Sequence, residues 1–270
     1  MPEIVEVELI TRGVRELCLN KTIKSITYDV ERCIKGSEKI DKTLGLSIKE
    51  VKRYGKSLLL DLGPKKILMH MMMSGQILFK DHPTPFTKHT RVIIGFTDDT
   101  ELHFNDIRKF GYVSILEPEE VGTHHYLSSL GIDPLSASFT REAFLALTYK
   151  KKVKAKTFLL NQHLISGIGN IYADEILFCA GISPRRSLYY LSKPTLLKLY
   201  DCILEILHLS LSLGGSTRKD YLQVTGSRGH YLDDALVYNR TGEPCKKCGA
   251  PIQKIFFGGR GTHFCKSCQK

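Results

Sequence analysis

Two cysteine pairs near the C-terminus constrain this chain more than any other feature. Cys245 and Cys248 are separated by two residues, sixteen residues follow, and Cys265 and Cys268 repeat the two-residue spacing. Each pair can grip one side of a tetrahedron, so the pattern reads as a four-cysteine structural zinc site. Two strand-like pieces flank the turn sequence GGRG between the pairs, which makes the module a zinc-finger β-hairpin. From residue 245 onward the cationic side chains are Lys246, Lys247, Lys254, Arg260, Lys266 and Lys270, with no Asp or Glu. A basic hairpin of this kind suits a nucleic-acid groove. Zinc ribbons also bind RNA and proteins, so the module alone does not name its partner.

The remaining cysteines, Cys18, Cys33, Cys179 and Cys202, are scattered among apolar neighbours and read as reduced, buried thiols. The formal charge of +11 and pI of about 9.2 point to a polyanionic partner, nucleic acid or an acidic membrane face. No apolar run reaches membrane-spanning length and no signal-peptide layout opens the chain, so a cytoplasmic protein is expected.

Periodicity changes character midway. Up to about residue 116, TIKSITYDV, KSLLLDL, KKILMHMMM, RVIIGFT, ELHFN and GYVSIL read as short strands between Gly, Pro, Asp and Lys clusters, favouring a sandwich or barrel. Ahead of them Val7, Ile10, Val14 and Leu17 follow helical spacing, predicting an amphipathic helix laid on the sheets. After LGIDPLSAS the pattern becomes helical over about 140–149, 157–164, 170–180 and 192–213.

Lys150, Lys151, Lys152, Lys154 and Lys156 lead into FLLNQHLISGIGNIYADEILF. Here one helix stops at SGIG, and Asn170 is expected as N-cap of the next. Exposed amides at a helix start bind phosphate oxygens. A plain helix-turn-helix connection is the alternative, and the neighbouring lysines favour the phosphate reading.

MPEIVEVELITRG, RYGKSLLL, HMMMSG, DIRKFG, LLNQHLISGIGNIYADEILFCAGISP, GGSTRKDYLQVTG and the terminal CKKCGAPIQKIFFGGRGTHFCKSCQ together resemble the formamidopyrimidine-DNA glycosylase family, relatives of endonuclease VIII. The resemblance runs from first residue to last. It implies an α+β fold in three parts: a β-sandwich with a catalytic N-terminal helix over 1–130, a helix-two-turn-helix domain with a lesion-capping loop over 131–236, and a zinc finger over 237–270. DNA is expected between the two larger domains. The implied activity is that of a bifunctional glycosylase and AP lyase of base excision repair, removing oxidised purines such as 8-oxoguanine and formamidopyrimidines by β,δ-elimination. A catalytically silent protein that binds damaged or kinked DNA is the alternative.

The resemblance gives the head of the chain a role. Once Met1 is removed, the nitrogen of Pro2 is a secondary amine, and α-amino groups titrate near pH ~8. The family uses that nitrogen as nucleophile on the deoxyribose C1′ and Glu3 for proton transfers on the opened sugar. Read on residues alone, Pro2 is a good first helical residue and Glu3 and Glu6 complement the helix dipole. The family match makes Glu6 a second carboxylate near the lesion and Lys56 the lysine beside the reacting sugar. Met73, Arg108 and Phe110 fall on the residues that fill the gap left by a flipped nucleotide, with His89, Lys156, Asn170 and Arg260 as phosphate contacts. Implied too are one structural Zn2+, duplex DNA with oxidised bases or abasic sites as partner, a monomer with no membrane association, and a bacterial, nucleoid-associated setting. The loop from GGSTRKDYLQVTG to LVY resembles the one that closes over the flipped base. Three departures stand out: Val5 for a second proline, DIRKFG for DPRRFG, and Arg91 for a second histidine. Losing the proline is expected to loosen the helix start.

Overall fold

Helical spacing at the head of the chain becomes α1, Ile4–Cys18, which buries Val7, Ile10, Val14 and Cys18 on one face. Leu17 lies at the edge of that stripe and is only partly buried. A computed structural model describes residues 2–216 and 222–270. It divides the chain into two units, Met1–Ser129 with Gly214–Gly229, and Leu130–Leu213 with His230–Lys270.

The first unit carries nine strands among the described residues: β1 (Ile23–Tyr28), β2 (Ile34–Lys35), β3 (Glu50–Tyr54), β4 (Ser57–Asp61), β5 (Lys66–His70), β6 (Gly75–Lys80), β7 (Thr90–Phe96), β8 (Glu101–Asp106) and β9 (Tyr112–Leu116). One sheet runs β1-β7-β8-β6 and the other β2-β9-β5-β4-β3, antiparallel except for the β2–β9 pair. Leu58, Leu60, Ile67 and Met69 from the second sheet share one core with Ile77, Val92, Ile94 and Phe104 from the first, which makes the unit a β-sandwich. α1 packs on β3, β4 and β6.

Strands β2, β3 and β6 lie outside the segments expected from sequence. β3, EVKRY, buries Val51 and leaves Glu50 and Lys52 exposed, so it carries too little apolar signal to stand out. The expected run through Met71–Met73 stops instead at His70, because Met72 turns the chain at φ +48°. Two short helices, α2 (Pro118–Thr123) and α3 (His125–Ser128), close this part of the chain. Residues 214–216 and 222–229 belong with this unit rather than with the helices before them. Val224 joins the sandwich core, and its carbonyl accepts from Phe79 N at 2.9 Å.

The second unit holds α4 (Arg141–Thr148), α5 (Ala155–Leu160), α6 (Asn170–Ala180) and α7 (Lys193–Ser212), then the hairpin β10 (Gln253–Phe257) and β11 (Arg260–Phe264). Thr140 and Ser192 cap α4 and α7 by accepting from Ala143 N and Thr195 N. α5 ends earlier than its apolar pattern suggested. Cys179 on α6 and Cys202 on α7 form a disulfide with Cα atoms 5.8 Å apart, where reduced thiols were expected. Their separation of 23 residues says nothing about which helix faces meet, so the pairing emerges only with the fold. Cys18 and Cys33 remain thiols in the core, and burial pushes Cys18 up to about 12.

Candidate active site

The three carboxylates of MPEIVEVE each have a defined partner. Glu3 sits at the N-cap of α1, and its backbone N–H donates to Glu6 Oε2 at 2.8 Å as part of a capping box. Glu6 Oε1 accepts from both the backbone N and the Oγ of Ser216 at 2.8 Å, which fastens the start of the GGSTRKDYLQVTG loop to the helix. Glu8 accepts from Arg53 at 2.8 Å and from Arg12 at 2.9 Å. Burial pushes the Glu8 carboxyl up, but hydrogen bonds and charge from Arg53 and Arg12 outweigh it and leave it below the usual range. Pro2 is buried, Glu3 is 2% exposed and Glu6 1% exposed. Val5 lies fully buried inside α1, so carboxylate capping rather than a second proline ring closes the helix start. The central residues 217–221 of the loop expected to close over the flipped base lie outside the described residues.

Lys56 occupies the turn between β3 and β4. The Glu8–Arg53 ion pair, with Arg53 Nη1 also donating to the Gly55 carbonyl at 3.4 Å, links that turn to α1. On its other side, Lys56 N donates to the Tyr126 hydroxyl at 3.0 Å. Beneath the turn His70 hydrogen-bonds Ser57 and packs its ring against Tyr126 and Tyr112 at 4.5 and 5.5 Å. Burial, then the positive charges of Lys56, His124 and Lys35, lowers His70 to about 4, so it stands neutral at pH 7. Arg53, His70 and Tyr126 were not singled out from sequence. Only the fold brings these scattered polar residues to one turn.

Met73, Arg108 and Phe110 come together at the surface of the same unit. Arg108 Nη1 lies 3.1 Å from Met73 Sδ, and its guanidinium stands 4.8 Å from the Phe110 ring centre. Met73 is 43% and Phe110 51% exposed, whereas Met71 is core at 1%. Asp106, fully buried, builds this loop: its Oδ2 accepts from Phe110 N at 2.8 Å and Gly111 N at 2.7 Å, and Oδ1 from Arg108 N at 3.1 Å. A Cβ on Gly111 would lie 2.7 Å from Phe104 Cζ, so glycine lets the loop close on the sheet. Arg91 braces the loop base, donating to the Asp106 carbonyl at 2.9 Å, to the Lys88 carbonyl at 2.8 Å and to Asp29. The arginine at that departure is thus an internal strut, 3% exposed. His89 beside it has a buried Nδ1 with no hydrogen-bond partner among the described residues.

In the second unit Asn170 is the first residue of α6, with Gly169 at the N-cap position expected for Asn170. Its Nδ2 donates to the Gly261 carbonyl at 2.9 Å and ties the helix start to the hairpin, while Oδ1 is buried without a partner among the described residues. That orphan atom is an acceptor, so a phosphate here would meet the backbone amides of the helix start rather than Oδ1. Lys156 departs from the expected phosphate-contacting set. It is 0% exposed, and its ammonium donates to Asp174 Oδ1 and Thr262 Oγ1, each at 2.7 Å. Asp174 in turn accepts from His263 N at 2.8 Å. The lysine run leads into α5, whose first turn faces the core, and position 156 is carried inward with it. Arg260 stays exposed beside a Gly258–Gly259 turn with φ of +60° and +72°, left-handed values that glycine adopts without strain.

Below that turn the four cysteine sulfurs all lie within 4.8 Å of one another, with Cys245–Cys268 at 3.9 Å and Cys248–Cys265 at 3.5 Å. Zn–S bonds of about 2.3 Å at tetrahedral angles require sulfur–sulfur edges of about 3.8 Å, so these residues fit one Zn2+.

Residues 1–113 match the formamidopyrimidine-DNA glycosylase N-terminal domain, 130–221 the H2TH domain of the same enzymes, and 242–270 the zinc finger found in FPG and IleRS. Formamidopyrimidine-DNA glycosylases from Listeria innocua and Streptococcus mutans are 40% and 37% identical over the whole of both chains. Among solved structures, a Lactococcus lactis FPG variant complexed with Fapy-dG-containing DNA superposes with a TM-score of 0.92 at 34% identity, covering 100% of each chain. The L. lactis Fpg complex with abasic-site DNA gives 0.91 at 33% identity over 99% of each.

Proposed function

The chain belongs to the formamidopyrimidine-DNA glycosylase family, and from that premise we propose how its residues divide the work of excising a damaged base. It is a DNA glycosylase with AP-lyase activity acting in base excision repair on oxidised purines. Its partner is duplex DNA containing oxidised bases or abasic sites, and it carries one structural Zn2+. The observation that carries the activity is 40% identity to a formamidopyrimidine-DNA glycosylase over the whole of both chains. Such relatives come from bacteria, and we infer that the protein works in association with the nucleoid. Among the described residues no helix is long and apolar enough to cross a membrane.

In this reading removal of Met1 leaves Pro2 with a secondary amine. That nitrogen attacks C1′ of a nucleotide turned out of the stack, the bond from C1′ to the base breaks, and the base leaves with a proton. The C1′–O4′ bond then opens with O4′ taking a proton, and because the amine is secondary the resulting iminium is cationic and draws electrons from C2′–H. β-Elimination expels the 3′ phosphate, δ-elimination the 5′ phosphate, and hydrolysis of the iminium releases Pro2. Glu3 moves protons on the opened sugar. Its burial at the cap of α1 holds it beside Pro2. Lys56 lies next to the sugar and its phosphate, and a neutral His70 beneath it adds no charge of its own to the ammonium. Glu6 keeps the lesion-side loop attached through Ser216. Met73, Arg108 and Phe110, presented by the Asp106 loop, fill the vacated stack, where inserted side chains recover part of the few kcal/mol that unstacking costs. His89, Arg260 and the start of α6 at Asn170 take phosphates.

Borohydride reduction with an 8-oxoguanine duplex tests the chemistry. The wild-type chain forms a covalent adduct, Pro2→Gly gives far less, and mass spectrometry places the adduct on the N-terminal peptide. No adduct on oxidised purines, oxidised pyrimidines or abasic DNA would favour the silent damage-binding reading.

A further inference from the structure

A cavity of about 410 Å³ opens on the second unit where the end of α4 meets the residues leading into α7. Leu145, Leu188, Leu191 and Leu196 line it. Tyr149 and Tyr189 stand at its rim, 69% and 49% exposed, with Tyr190 beside them at 70%. None of these residues has a part in the chemistry above. Large exposed rings beside an apolar hollow mark a contact surface more often than chance, and the volume suits bulky side chains. The segments that form it are basic: residues 141–152 and 185–198 hold eight Lys or Arg and a single acid, Glu142, with Arg141 paired to Asp201 of α7 and Lys150 and Lys193 at the lining itself.

Basic charge with aromatic rings fits either nucleic acid or an acidic peptide. Nucleobases bind such surfaces by stacking on open ring faces. Here Lys150 lies over Tyr149 at 5.1 Å, Lys152 over Tyr189 at 5.6 Å, and Tyr190 meets Tyr189 edge-on at 5.3 Å. Each ring thus has a lysine or a neighbouring ring on one side, and the hollow beside them is lined by leucines, which seat aliphatic or aromatic side chains rather than offer a flat face for a base to stack on. We propose that this cavity docks an acidic segment of a partner protein, with one or two bulky apolar side chains seated on the leucines and adjacent carboxylates paired with Lys150 and Lys193.

The zinc-loaded full-length protein is titrated into fluorescein-labelled Asp-Asp-Asp-Asp-Leu-Phe and into the control Asp-Asp-Asp-Asp-Ser-Ser, reading anisotropy. Saturable binding of the first, at least about tenfold tighter than the control, is expected. Tyr189→Ala combined with Lys193→Glu weakens it by a similar factor, and Tyr149→Ser, at a more exposed ring, gives a second variant with little risk to folding. Lys193→Arg preserves binding. Equal affinity for both peptides, no saturation, or unchanged affinity in both variants would overturn the proposal. So would full displacement of the peptide by a short oligothymidylate, which would assign the surface to unpaired nucleic acid.

Discussion

Replacing Lys156 separates a structural from a DNA-binding role for this residue. Lys156 and Asp174 are both 0% exposed and 2.7 Å apart, with Thr262 Oγ1 and the Gly261 carbonyl also facing the ammonium at 2.7 and 3.4 Å. Lys156→Met leaves a buried carboxylate with only the N–H groups of His263 for company. Removing one partner of a buried pair costs about 3–5 kcal/mol, so we expect a loss of about 4 kcal/mol. In Lys156→Met/Asp174→Asn no charge is stranded and the amide still accepts from His263 N, so most of that loss returns, with a coupling of about 2 kcal/mol. Urea unfolding of the zinc-loaded protein, followed by far-ultraviolet circular dichroism, measures both. Affinity for undamaged duplex against salt supplies the second readout. A lost phosphate contact lowers the slope of log K against log salt by about 0.9, and Lys156→Met should leave that slope unchanged while Arg260→Ala lowers it. Destabilisation below about 1 kcal/mol together with a slope lowered by about 0.9 would show that the ammonium reaches DNA instead.

Three further outcomes follow from the same geometry. His70 has a folded-state pKa of about 4 against 6.5 unperturbed, so the unfolded chain binds the extra proton between those values. The folded state is therefore unpenalised above pH 6.5 and loses about 3 kcal/mol as pH falls to 4, and His70→Gln flattens that acid limb of the stability–pH curve. An equally steep limb in the variant would refute the assignment. Asp106→Ala strips the acceptor from three loop amides and should slow single-turnover excision far more than it weakens binding to undamaged duplex. Equal losses in both would mean that the loop does not act on the lesion. Cys248→Ser should abolish stoichiometric zinc by atomic absorption and reduce DNA affinity, because the hairpin folds around its metal. Retained metal would contradict the ligand set.

How much of this was legible beforehand depended on the range of the interaction. The zinc hairpin, α1 and the long helices announce themselves through spacings of two to four residues, which one glance along the chain can read. The Glu3–Glu6 capping box is of that kind too, and so is the alternative reading of these acids as helix-start residues: they close α1 whether or not Glu3 also moves protons. What could not be read are contacts across long sequence gaps. Ser216 meets Glu6 across 210 residues, Thr262 meets Lys156 across 106, and Cys179 pairs with Cys202 between helices whose facing sides no periodicity specifies.

Lys156 is the instructive case, because a lysine in a run of lysines carries the strongest local signal for solvent exposure and still ends in the core. The difference lies in Asp174. A lone ammonium would not be tolerated there, but a carboxylate one turn into α6 makes burial affordable and joins α5, α6 and β11 at one point. The cation expected to touch the phosphate backbone thus holds together the elements that carry Asn170 and Arg260. On the proposed roles of those two residues, its influence on DNA would pass through their position, so loss of stability and an unchanged salt slope are expected from the same substitution.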